Sequence, residues 1–115
     1  MRTSLTYLAS PYTDPDPEVE ERRYKAVCLQ ASKMLKAGEF VFSPIAHCHP
    51  IAKAGGLPGD FGFWIEYDRR MISACDSLAV FMLPGWDEST GIAGEIGIAK
   101  MKGIPIRYID CPESY

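Results

Sequence analysis

The feature that most constrains the fold is an almost unbroken apolar run, SLAVFML at residues 77–83, followed by a glycine-rich turn and helix up to residue 102. A strand that is apolar at successive positions is typical of a parallel sheet covered on both faces. Parallel strands are joined by crossover connections, and the usual crossover is a helix. The run therefore predicts a sheet that lies between two layers of helices.

The rest of the chain repeats this alternation of strand and helix. Further strands are predicted at 4–9, 39–43 and 104–109, and helices at 18–37, 63–76 and 89–102. Asp16 and Pro17 have the residue types of a helix start, and Gly38 that of a stop. Residues 45–62 are rich in Gly and Pro without a clear period, so we expect a long loop or short helical turns there.

This order predicts an α/β fold, specifically a three-layer Rossmann-like (flavodoxin-like) parallel sheet of about four or five strands with helices on both faces. The length of 115 residues suits a single domain over residues 1–115.

Composition argues against several classes of partner. The net charge is −3, and the twelve Lys and Arg residues are scattered without a basic stripe, so a nucleic-acid duplex is not expected. No apolar run approaches the roughly 20 residues that span a bilayer, so no membrane partner is expected either. The start reads as a strand rather than a signal peptide, and the four cysteines form no CxxC pair. We therefore expect reduced thiols and a cytoplasmic location.

In parallel α/β sheets, ligands bind outside the carboxyl ends of the strands. Three predicted strands are followed there by polar, aromatic or small residues, which we take as candidates for binding a substrate. They are Ser10, Pro11 and Tyr12 after the first strand, Ser43, His47 and His49 after the second, and Trp86, Ser89 and Gly91 after the third.

Glu95 is the one acidic residue in the last helix, and small residues surround it. Such surroundings let a ligand or another backbone come close, which favours a functional carboxylate. The alternative is an exposed acid near a helix start, stabilised by the helix macrodipole.

Three motifs resemble the nucleoside 2-deoxyribosyltransferases and the 2′-deoxynucleoside 5′-monophosphate N-glycosidases. They are TYLASPY at 6–12, Asp68 eight residues before Asp76, and the pattern S-x-G-x-x-x-E-[IL]-G-x-A from Ser89 to Ala99. Over nearly its whole length the chain also resembles the DUF1937 domains. Two parts depart from the enzymes: Ser10-Pro11-Tyr12 replaces a glycine-rich or Arg-bearing loop, and PIAHCHP at 44–50 has no counterpart.

The resemblance implies catalytic roles for Glu95, Asp68 and Tyr7. Glu95 would attack the anomeric carbon of the sugar, Asp68 would assist departure of the base, and Tyr7 would orient Glu95. It further implies that Ser89 contacts a 5′-phosphate, which favours a nucleotide over a nucleoside.

Each of these residues also has a purely structural interpretation. Asp68 could pair with Arg69, Tyr7 could be a core aromatic residue, Ser89 could be only a helix cap, and Asp76 is more typical of a turn before a strand.

Two other functions stay open on the sequence. One is a nucleotide-binding module of the same fold without turnover. The other is a metal-dependent hydrolase that uses His47 and His49, although two histidines need further ligands to hold zinc. No metal and no cofactor are expected. The resemblance implies a nucleoside or nucleotide as the small-molecule partner, and a homodimer or larger homo-oligomer.

Overall fold

The computed structural model describes residues 3–115, and within them four strands alternate with four helices. In chain order these are β1 (Leu5–Ala9), α1 (Pro17–Lys36), β2 (Phe40–Phe42), α2 (Pro44–Gly55), α3 (Phe61–Ile72), β3 (Ser77–Phe81), α4 (Thr90–Lys102) and β4 (Ile106–Ile109). A single 3₁₀ turn, Trp86–Glu88, lies between β3 and α4.

All strand pairings are parallel, and the strand order is β2-β1-β3-β4. Tyr7 of β1 lies beside Phe42 of β2 on one side and Leu78 of β3 on the other. β2 lies on one side of β1, and the later strands β3 and β4 lie on the other side. The direction in which strands are added to the sheet therefore reverses between β1 and β3. The carboxyl ends of these two strands are the place where open parallel sheets bind ligands.

The sheet is covered on both faces, as its apolar central strands predict. On one face, Tyr7 and Ala9 of β1 and Leu78 and Val80 of β3 pack in a buried cluster against α3 and α4. On the other face the intervening residues, among them Leu8, Ala79 and Phe81, pack against Val27 and Met34 of α1. The predicted three-layer α/β fold is therefore confirmed, with four strands.

Residues 45–62 differ from the expected loop, because a twelve-residue helix, α2, occupies most of them. Ser43 caps the helix by accepting a hydrogen bond from the Ala46 amide at 3.1 Å, and Pro44 fits the first turn because that turn needs no amide donor. Gly56 ends the helix in a left-handed conformation at φ 64°. The capping residues, rather than hydrophobic periodicity, are the local signal for this helix.

Asp76 has the structural role expected of a residue before a strand. Its carboxylate accepts a hydrogen bond from the Leu5 amide at 2.8 Å, and its own amide donates to the Leu5 carbonyl at 2.7 Å. These contacts align the start of β3 with the start of β1. None of the helices within residues 3–115 is long and apolar enough to cross a membrane.

Candidate active site

A cavity of about 830 Å³ opens at the carboxyl ends of the strands. The loops after β1 and β3, the start of α1, and helices α2, α3 and α4 all contribute to its lining. Of the residues expected to act on or bind a substrate, it is lined by Ser10, Pro11, Tyr12, His49, Asp68, Ser89, Gly91 and Glu95. Its volume suits a ligand the size of a mononucleotide.

Glu95 is buried, with only 5% of the residue exposed, so the alternative of an exposed acid at the helix start is wrong. Tyr7 is fully buried in the face of β1 that packs against α4, and its hydroxyl donates a hydrogen bond to Glu95 Oε2 at 2.5 Å. Tyr7 is therefore both a core aromatic residue and the group that orients the carboxylate. Glu95 also lines the cavity, so this buried acid can meet a ligand.

Asp68 enters the same cavity from α3. Phe61, Trp64 and Asp68 all line it, and their spacing of three and four residues places them on one side of the helix. The surface ion pair expected as an alternative involves a different acid, because Arg69 lies 3.5 Å from Glu66. Asp68 instead interacts with the Tyr7 hydroxyl, which donates its hydrogen bond to Glu95 and lowers the pKa of Asp68.

The pKa values of both carboxyl groups, Glu95 and Asp68, are raised, which favours their protonated forms. Burial raises the pKa of Glu95 from 4.5 to about 8; the Tyr7 hydrogen bond opposes this rise, and the charge of Asp68 adds to it. Burial raises the pKa of Asp68 from 3.8 to about 6, again opposed by Tyr7. Burial and the two carboxylates raise the pKa of Tyr7 as well, so its hydroxyl remains a donor. At neutral pH, Glu95 and Asp68 therefore hold one proton between them.

The amino end of α4 forms a polar part of the cavity. Ser89 caps the helix by accepting a hydrogen bond from the Ile92 amide at 3.2 Å, as its cap interpretation predicts, and it lines the cavity as well. Ser10 Oγ and Arg23 Nε are buried, and among the described residues neither has a hydrogen-bond partner. Both residues line the cavity, where unsatisfied donors suit a polar ligand group and the start of α4 favours an anion.

Arg23 of α1 joins the two loops that meet at this end. Its guanidinium donates to the carbonyls of Tyr12 at 3.3 Å, Thr13 at 3.1 Å and Pro84 at 3.0 Å. Gly85, at φ 93°, follows Pro84, and a Cβ there would lie 2.8 Å from Arg23 Nη2. Glycine at this position therefore permits both the turn and the approach of the arginine.

A second group of polar side chains lies where α1 and α2 meet the cavity. The Tyr12 hydroxyl hydrogen bonds to His49 Nδ1 at 2.5 Å, and His49 Nε2 lies 3.3 Å from Glu21 Oε1. The His49 ring stacks on Tyr24 with 4.0 Å between the ring centroids. His49 is thus held on both ring nitrogens and on one face.

Ser43, His47 and Trp86 are not among the residues that line the cavity. Ser43 is turned into the cap of α2. His47 Nδ1 lies 3.4 Å from the Tyr67 hydroxyl, away from His49, because residues two positions apart on a helix point about 200° apart. Trp86 packs with its ring centroid 5.8 Å from that of Tyr108. The structure thus places these three residues outside the candidate site.

The sequence did not indicate Arg23 as a site residue, and Trp64, which could stack on a base, was more typical of a core position on its helix. Arg23 lies among other charged residues on α1, so no local signal separates it from a solvated cation. Trp64 lines the cavity, and its indole donates to the Pro58 carbonyl at 2.7 Å. The four-residue spacing between Trp64 and Asp68 could have indicated this, since it places both side chains on the side of α3 that lines the cavity.

Within the part of the chain that the structure describes, the donors needed for a metal site do not come together. Across residues 3–115 no three His, Cys, Asp or Glu side chains are grouped so that they could hold a metal ion. His47 and His49, the pair on which a metal site would be built, make contacts on opposite sides of α2.

Comparison with known proteins identifies a family without a described activity. None of the curated proteins matches the chain. The family model of DUF1937, described as a domain of unknown function, matches residues 4–110 and so covers both the fold and every residue of the cavity lining. The chain therefore belongs to the DUF1937 family.

Proposed function

We propose that this protein cleaves the N-glycosidic bond of a 2′-deoxynucleoside 5′-monophosphate, with Glu95 as nucleophile, and that it belongs to the nucleoside 2-deoxyribosyltransferase superfamily. The observation that carries the proposal is a buried carboxylate, held by Tyr7 at 2.5 Å, in a cavity that also contains a second carboxyl group. Two carboxyl groups of different proton affinity are what such a cleavage requires.

The first step is attack of a Glu95 oxygen on C1′ of the sugar. The C1′–N bond breaks, its electron pair stays on the base, and the base takes the proton held by Asp68. The products are a glycosyl ester on Glu95, a neutral base and ionised Asp68, so one proton and one negative charge are conserved. Water or a second base then attacks C1′, and Asp68 takes the proton which that acceptor loses.

In the free protein the shared proton lies mainly on Glu95, whose pKa is the higher, so binding of the substrate has to move this proton to Asp68 before Glu95 can attack. A cationic C1′ beside Glu95 favours its ionised form, and an apolar base beside Asp68 favours its protonated form. The Tyr7 hydroxyl, which donates to Glu95, lowers the pKa of both acids and so favours the ionised form of each. It also restrains the rotamer of Glu95 toward C1′.

The phosphate would lie at the amino end of α4. Ser10, Arg23, Ser89 and Gly91 all line the cavity, and α4 has thirteen residues, so its amide groups and macrodipole favour an anion. Most of the charged residues elsewhere in the lining are acidic, which disfavours a phosphate at any other place. They are Asp14, Glu20, Asp60 and Asp68, whereas Glu88 directly precedes the cap of α4 and Glu95 lies on α4 itself.

The test is to incubate the protein with the four common deoxynucleoside 5′-monophosphates and the matching nucleosides, and to separate free base by chromatography. We expect base release from at least one monophosphate, faster than from its nucleoside. Glu95→Gln, which keeps the size of the side chain, should lower kcat by about 10³-fold or more because it removes the nucleophile.

Glu66→Gln is the matched control, because Glu66 is an exposed acid on α3 outside the cavity. It should keep the wild-type rate. Binding of a nucleotide without release or exchange of base would instead identify a binding module without turnover. Equal turnover by Glu95→Gln and wild type would reject Glu95 as the nucleophile.

A further inference from the structure

The Tyr12–His49–Glu21 chain described above takes no part in the proposed bond cleavage. Its three members come from the loop after β1, from α2 and from α1, so only the folded chain assembles it. His49 is buried, with 5% of the residue exposed, while Tyr12 is partly exposed and lines the cavity. The chain thus connects a buried imidazole to a hydroxyl that a ligand can reach.

The carboxylate of Glu21 determines which nitrogen of His49 carries the proton. A carboxylate only accepts hydrogen bonds, so His49 Nε2, 3.3 Å from Glu21 Oε1, is the protonated nitrogen. In the neutral ring Nδ1 is then an acceptor, and the Tyr12 hydroxyl must donate to it across the 2.5 Å contact. The Tyr12 oxygen has no second proton and presents only lone pairs to the cavity.

The other groups around His49 agree with this arrangement. Tyr24 stacks on the ring, and Lys53 Nζ lies 3.9 Å from the same oxygen of Glu21. Burial and the charges of Glu20 and Glu21 raise the pKa of Tyr12, so its hydroxyl keeps the proton that it donates.

Tyr12 lies toward the part of the cavity that suits a nucleobase. Its hydroxyl reaches His49 on α2. The walls that α2, α3 and the segment between them provide there are largely apolar, through Ile45, Cys48, Ala52, Leu57, Phe61 and Trp64. An aromatic ring placed there would have its polar edge against Tyr12 and its glycosidic end toward Asp68 and Glu95.

We propose that Tyr12 selects the substrate: its oxygen accepts a hydrogen bond from an exocyclic amino group, so the site prefers adenine and cytosine nucleotides over their oxo counterparts. The proposal rests on the proposed function of the cavity and names the class of base that it takes. An oxo base would place a carbonyl oxygen against the lone pairs of Tyr12, and neither oxygen would have a donor.

The experiment compares two pairs of ligands that differ mainly at this group, dAMP with dIMP and dCMP with dUMP. Dissociation constants are measured by calorimetry in the Glu95→Gln background, so that cleavage does not contribute heat. We expect the amino member of each pair to bind about 10-fold more tightly or better. Adding Tyr12→Phe should bring both ratios close to one.

Tyr24→Phe is the matched control, since it removes a hydroxyl from the other tyrosine on His49 and keeps the stacked ring. It should keep the wild-type ratios. Nitrogen NMR of His49 in the unliganded protein gives a second readout, which does not depend on binding. We expect protonated Nε2 and unprotonated Nδ1.

Three results would overturn the proposal: equal binding of amino and oxo ligands, a preference that survives Tyr12→Phe, or a proton on Nδ1 of neutral His49. Base release by the wild-type protein together with any of these would leave the proposed function standing and remove only the role of Tyr12. A lack of both base release and nucleotide binding would remove both.

Discussion

At the scale of single residues, the main result is how Tyr7 connects two acids. Its ring is part of the core, and its hydroxyl reaches Glu95 at 2.5 Å. Since the Tyr7 hydroxyl lowers the pKa of both Glu95 and Asp68, it opposes the effect of burial at each of them. The residue thus affects both how the acids are oriented and the pH range in which the pair holds one proton.

This role predicts a pH profile. With one proton on the pair as the active state, kcat/KM for base release should be highest between pH values of about 6 and about 8. Tyr7→Phe should lower kcat about 10- to 100-fold through the loss of positioning and should move both limbs to higher pH. Steady-state rates across pH measure both effects.

Tyr108→Phe is the control for this substitution, because Tyr108 is an exposed tyrosine on β4 outside the cavity lining. It should have the wild-type profile. If kcat/KM of Tyr7→Phe rises and falls at the same pH values as that of the wild type, the Tyr7 hydroxyl does not affect the pKa of Glu95 or Asp68.

At the scale of secondary structure, the contact between α3 and α4 sets the shape of the site. Gly94 of α4 faces Phe61 of α3, and a Cβ at Gly94 would lie 2.6 Å from two atoms of that ring. Phe61 lines the cavity next to Trp64 and Asp68. The absence of a side chain at Gly94 therefore lets α3 approach closely enough to bring Asp68 to Glu95.

Two glycine substitutions on α4 test this packing. Gly94→Ala should destabilise the protein by ~1–3 kcal/mol, because the added methyl group overlaps the Phe61 ring. Gly97→Ala should stabilise it by ~0.5–1 kcal/mol, since a Cβ there meets nothing within 4 Å and alanine favours the helix.

Urea unfolding of the two variants and the wild type measures the difference. The same substitution, glycine to alanine, should thus change the free energy of unfolding in opposite directions at two positions of α4 that are three residues apart. Similar destabilisation by both would indicate that helix propensity, and not the α3–α4 contact, dominates.

At the scale of the whole molecule, the buried acid affects folding stability. The pKa of Glu95 is about 8 in the folded protein against 4.5 ordinarily, so between these pH values the folded state binds more protons than the unfolded state. The free energy of unfolding therefore falls as pH rises from about 4.5 to about 8 and levels off above that. The loss should be on the order of a few kcal/mol.

Glu95→Gln should remove most of this slope, because glutamine does not ionise. The variant should gain stability relative to the wild type as pH rises toward 8, when both are measured by urea unfolding. Glu66→Gln, on the exposed side of α3, should keep the wild-type slope. An unchanged slope in Glu95→Gln would mean that other groups produce the pH dependence.

Assembly also belongs to this scale. A homodimer or larger oligomer stays a prediction from the resemblance. Several apolar side chains of the single chain are exposed, including Leu29 at 68% and Met101 at 86%. Light scattering at micromolar concentration should give at least twice the mass of one chain, and the mass of a single chain would contradict the prediction.

The sequence by itself determined the number, type and order of most elements, because strands and helices depend on apolar spacing and caps within a few residues. Apolar spacing did not predict α2, for the same reason: residues 45–62 have no clear period, and only Ser43, Pro44 and Gly56 signal that helix. Resemblance, rather than local pattern, supplied the pairing of Tyr7 with Glu95, which lie 88 residues apart.

Only the tertiary structure decided the strand order, the lining of the cavity and the contacts of its polar groups. Arg23 meets the loops after β1 and β3, and Tyr12 meets His49, because the reversal of strand order brings these separate segments to one edge of the sheet. Burial likewise raised the pKa of Glu95 and Asp68, and burial is a property of the packed molecule. Residue types restrict the possible chemistry, while distances and desolvation, which arise only on folding, determine which of those residues act together.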